Sequence, residues 1–85
     1  MVNDLTRRTL LEEIATVEGH LALGDTHIAD QRRRVDWLER TGRDSARSRE
    51  LLATFLSVHA SHLSHQDRLV CELGEHRGAR RSKAR

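Results

Sequence analysis

The chain has 85 residues, 36% hydrophobic and 33% charged, with one Trp, one Phe, one Cys and neither Pro nor Tyr. This length excludes more than one domain, the lone Cys excludes an internal disulfide framework, and so few aromatic residues argue against an all-β fold. The formal net charge is +2, but residues 1–73 hold 10 Arg against 12 acidic residues, so the basic excess lies wholly in residues 74–85.

The spacing predicts a first helix over about residues 5–41. Asn3 or Asp4 can cap its start by accepting from a free backbone N–H. From Leu10 a 4-3 spacing runs through Ile14, Val17, Leu21, Gly24, Ile28, Gln31, Val35 and Leu38. A sustained seam of that period argues for helix over strand. Gly19 and Gly24 weaken the helix, each by about 1 kcal/mol relative to Ala. Gly24-Asp25-Thr26 could also be read as a break, but the seam keeps phase across it, and Gly24 would then permit close helix approach. Leu23 and Trp37 lie off the seam, two heptads apart on one side.

A turn is expected at residues 42–44, with Gly42 suited to a left-handed C′ position and Asp44 or Ser45 to the next N-cap. So short a connection implies an antiparallel return. The second helix is expected over about 45–73, with Gly74 as its stop. Two overlapping seams offer themselves. One reads Leu52, Leu56, His59, Leu63, Gln66, Val70, Leu73; the other reads Leu51, Phe55, Val58, His62, His65, Leu69. Placing Leu38 opposite Leu52 sets Val35 against Phe55, Gln31 against His59, Ile28 against His62 and Gly24 against Gln66. Residues 74–85, with Arg77, Arg80, Arg81, Lys83 and Arg85, read as a disordered basic tail.

The expected fold is therefore all-α: an antiparallel helical hairpin that dimerises into a four-helix bundle of coiled-coil type. Two helices alone leave apolar surface exposed, which usually marks an interface, and a small scaffold without disulfides is commonly reinforced by oligomerisation. The expected core and interface residues are Leu21, Ile28, Val35, Leu38, Leu52, Phe55, Leu63 and Leu69. Gln31, His59 and Gln66 are expected to set register, as polar residues in a seam do at some cost in stability.

His59, His62 and His65 form the candidate metal set, because imidazoles at helical spacing can bind zinc. No standard ligand signature accompanies them, so the expected role is polar core or rim. The same imidazoles give a pH-responsive alternative. Cys71 reads as a small buried hydrophobe, and Arg32-Arg33-Arg34 as a solvated face near Asp30 and Asp36. No catalytic or cofactor-binding residue is assigned, since the sequence offers no phosphate loop, nucleophile elbow or paired-carboxylate cleft. The chain is read as non-enzymatic.

The run His27-Ile28-Ala29 with Gln31-Arg32, then Val35, Leu38, Gly42, Asp44, Leu51-Leu52, Phe55, His62 and Arg68-Leu69, resembles a group of short bacterial hypothetical proteins of helical-hairpin appearance. The resemblance covers roughly residues 20–73. It implies the hairpin fold and carries no activity, so no functional residue is transferred.

The leading expectation is a small self-association or protein–protein interaction module acting as a homodimer or on another protein. The alternative is a nucleic-acid accessory whose basic tail contacts phosphates; a His-based metal or pH-responsive bundle is a weaker one. No apolar run approaches 18 residues, so no membrane span is expected. The first twenty residues lack an apolar h-region, so the expected location is cytoplasmic.

Overall fold

A computed structural model describes residues 2–84, with side chains for residues 4–75. Two helices, α1 (Val2–Arg40) and α2 (Ala46–Ala84), pack against each other as an antiparallel hairpin. α1 is unbroken through Gly19 and Gly24. α2 passes the stop expected at Gly74, and its backbone stays helical from there to Ala84, where a disordered tail was expected. Gly74 does not adopt positive φ, and a glycine without a following proline weakens a helix by about 1 kcal/mol without ending it. The side chains of Arg77, Arg80, Arg81 and Lys83, and all of Arg85, lie outside the described residues.

The turn forms as its residues dictate. Gly42 has φ +69°. Arg43 N–H donates to the Leu38 carbonyl at 2.8 Å and Gly42 N–H to the Glu39 carbonyl at 3.2 Å, the bond pair of a Schellman motif. The Arg43 guanidinium lies 4.9 Å from the Trp37 ring centroid. Asp44 Oδ1 accepts from Ala46 N–H at 3.0 Å and so caps α2. A Cβ on Gly42 would meet nothing within 4 Å, so Gly42→Ala tests the backbone alone. It is expected to destabilise the hairpin by about 1–2 kcal/mol, seen as a lower thermal midpoint at unchanged helical content; an unmoved midpoint would contradict the cap.

Every position of the α1 seam faces α2. Leu10, Val17, Ile28, Gln31 and Val35 are buried, and Ile14, Leu21, Gly24 and Leu38 half-buried. The α2 seam is neither of the two expected. It alternates between them: Ser48, Leu52, Phe55, His59, His62, Gln66, Leu69 and Leu73 point inward. Leu63, expected in the core, is therefore 44% exposed, because His62 beside it takes the inward position. Leu52 and Phe55 are half-buried, while Leu69 is buried against Leu10 and Val17, with Ile14 and Leu73 packed alongside.

The register also differs. His59, not Gln66, stands against Gly24. Gln31 Nε2 donates to the Ser48 carbonyl at 2.9 Å instead of meeting His59. His62 meets His20 rather than Ile28, and Phe55 meets His27 rather than Val35. Ser45 and Ser48 are half-buried next to the turn, and the Gln31 bond to the Ser48 carbonyl ties the helices there. An ion pair between Arg49 and Glu39 joins the helices there.

The result is a rod of 65 × 19 × 13 Å with a radius of gyration of 19.2 Å, against about 12 Å for a compact chain of this length. Its accessible surface is 6693 Å², roughly 1,500 Å² more than a compact monomer of equal mass exposes.

Candidate functional site

Two features carry chemistry, a histidine-lined segment of the seam and the outer face of α2. In the seam, the His59 ring lies on the backbone of Gly24, where a Cβ would come 2.6 Å from Nδ1. His59 Nε2 donates to Asp25 Oδ1 at 3.1 Å, and Nδ1 is buried without a hydrogen-bond partner. The His20 and His62 rings stack with centroids 5.1 Å apart, and His27 lies 5.8 Å from Phe55. A cavity of about 340 Å³ opens beside these rings, walled on its apolar side by Leu23, Phe55 and Val58. Another, about 540 Å³, opens between His20, His62 and His65 and the carboxylates Glu12 and Glu13.

The candidate metal set is not brought together. Helical geometry sends His59 to Gly24 and His62 to His20, and leaves His65 exposed. Among the described residues no three His, Cys, Asp or Glu side chains are grouped to hold a metal ion. Of the register set, Gln31 is buried and His59 and Gln66 half-buried, but each of the first two bonds elsewhere than expected. Cys71, expected to be buried, is exposed, with Sγ 3.8 Å from Glu75 Oε1. The displaced α2 seam explains this, since Cys71 falls two positions past the inward Leu69. Arg32, Arg33 and Arg34 are exposed, Arg33 paired with Asp30.

The outer face of α2 is the larger feature. Residues 51–66 contain no Asp, Glu, Lys or Arg, although a third of the chain is charged. Leu56, Leu63 and Val70 recur every seven residues on this helix and are all exposed. Beside them runs a shallow groove lined by Ser57, Ala60, Ser61, Ser64 and Arg68. Comparison with protein-family models, curated proteins and solved structures finds no match. The surface itself must therefore indicate the role.

Sequence reasoning listed Leu63 among the core and interface residues and expected some apolar surface to stay exposed, but it did not single out the outer face of residues 51–66. The signal was present: a sixteen-residue stretch free of formal charge, flanked by Glu50 and Asp67. A helix lying free in water normally carries charge on its outer side, and depletion of charge is what marks the core of an interface. Leu23 and Trp37 are exposed on α1 as well, with Arg43 stacked over Trp37. Among the described residues no helix is long and apolar enough to cross a membrane.

Proposed function

We propose that the chain is a non-enzymatic self-association module of coiled-coil type, a cytoplasmic hairpin that pairs with a second copy of itself. The observation that carries this reading is the uncharged stretch of α2, residues 51–66, which exposes Leu56 and Leu63 beside the seam, with Val70 one heptad further on. The surplus of roughly 1,500 Å² over a compact monomer exceeds the ~800 Å² per partner of a standard interface. The buried hydrophobic set is small for so long a chain: Leu10, Val17, Ile28, Val35 and Leu69. Association therefore offers the apolar burial that the hairpin alone leaves unused.

Light scattering tests this. The expected mass is twice the 9.8 kDa of one chain at both low and high salt, because an apolar contact is little screened. A single-chain mass at every concentration would overturn the proposal. The nucleic-acid alternative rests on the sequence of residues 74–85 alone.

A further inference from the structure

We infer that the second copy docks α2 against α2 in antiparallel fashion, with Ala60 of each chain at the twofold axis. This rests on the self-association reading and specifies its geometry. The outer face of α2 carries a ridge and a groove side by side: Leu56 and Leu63 stand exposed, and Ser57, Ala60, Ser61 and Ser64 line the depression next to them. An isologous contact needs such self-complementarity, since each surface meets its own copy.

Antiparallel pairing about Ala60 satisfies it. Leu56 then falls beside the partner's Ser64, and Leu63 beside the partner's Ser57, so large residues meet small ones. Alternation of that kind lets helix surfaces interdigitate at the 8–10 Å spacing of packed helices. The small Ala60 sits where the two backbones come closest.

Charge fixes the direction. The uncharged stretch ends at Glu50 on one side and at Asp67-Arg68 on the other. Antiparallel pairing about Ala60 brings Arg68 within a turn of the partner's Glu50. Parallel pairing would set Glu50 against Glu50 and Arg68 against Arg68, a like-charge arrangement that costs affinity and specifies against the wrong dimer. The uncharged stretch spans about 24 Å at 1.5 Å per residue, long enough to carry the contact without burying a formal charge. The other exposed apolar side of α2 carries Leu51 and Val58, and there Val58 borders the histidine-lined cavity instead.

Two variants test the geometry in the full chain. Leu63→Arg is expected to halve the mass seen by light scattering at a fixed concentration, while helical content by circular dichroism stays unchanged, because Leu63 is exposed in the hairpin. Val58→Arg is expected to leave the mass as it is. Independently, Ala60→Cys in a Cys71→Ser background is expected to give a disulfide-linked dimer on mild oxidation, whereas Thr26→Cys in that background, on an exposed face of α1, is not. A dimer that survives Leu63→Arg, dissociates on Val58→Arg, or leaves Ala60→Cys unlinked would overturn this pairing while self-association stands. A monomeric wild-type chain would overturn both.

Discussion

Leu69→Ala is expected to cost the hairpin about 2–4 kcal/mol. Leu69 is 4% exposed and packs on Leu10 and Val17, with Ile14 and Leu73 against the same cluster. Removing its side chain leaves a cavity that two rigid helices cannot collapse into. A chain of this length has about 4–13 kcal/mol in total, and one with so few buried side chains belongs at the lower end. The substitution should therefore bring the hairpin near its unfolding threshold at room temperature. The measurement is a urea titration followed by helical circular dichroism, at one fixed chain concentration so that association adds equally to every variant. Leu5→Ala, at a highly exposed position, is the control and should change stability by less than about 0.5 kcal/mol. Equal midpoints for the two variants would show that the cluster is not the core.

The second large effect is a reversal of sign. Gly24→Ala should destabilise the wild-type hairpin and stabilise the His59→Ala hairpin. In an open helix, alanine in place of glycine contributes about 1 kcal/mol. At Gly24 the new Cβ would stand 2.6 Å from His59 Nδ1, an atom bonded directly to the ring carbon nearest the backbone, so the whole ring must move. Moving it breaks the bond from Nε2 to Asp25 Oδ1. Overpacking of this kind costs about 1–3 kcal/mol, which outweighs the gain in propensity. With His59 shortened to alanine the space is free and only the gain remains. A double-mutant cycle measured by denaturant unfolding should give a coupling of about 1–3 kcal/mol. The same sign in both backgrounds would mean that His59 does not rest on Gly24.

α1 could be read from its sequence because one apolar stripe keeps phase from Leu10 to Leu38, while its off-seam apolar residues Leu11, Leu23 and Trp37 form no rival stripe of that length. Glu13, Glu18, Asp25, Arg32 and Arg34 flank the seam and set it off from its surroundings. Gly42 and Asp44 were equally legible, since left-handed φ and N-capping belong to few residue types. α2 was not legible in the same way. Leu56, Leu63 and Val70 flank its seam on one side and Leu51 and Val58 on the other, while His59, His62 and Gln66 occupy the middle. A search for an apolar stripe of period seven therefore settles on a flank and misses a partly polar centre. The register failed for a related reason. Ser45 and Ser48 are too small and polar to announce an inward position, yet both are half-buried beside the turn. The histidine contacts depend on that register, so no reading of α2 alone could have paired His20 with His62 or His59 with Gly24.

The distribution of burial along the rod has a consequence for how it opens. Ile28, Gln31 and Val35 clasp the end near the turn, and Leu10, Val17 and Leu69 clasp the end away from it. Between them lie only half-buried contacts, those of Leu21, Gly24, His59 and His62. A hairpin ordinarily unzips from its free end, where nothing holds the strands of the rod together. Here a buried cluster lies on either side of the weak stretch, so among the described residues the easiest excursion is a bubble at the imidazoles with both clusters still closed. Local opening follows low contact density rather than distance from the turn. The bubble would form on the stretch of α2 whose outer side carries Leu56 and Leu63, so a second copy bound there would act as a splint across the weakest part of the first.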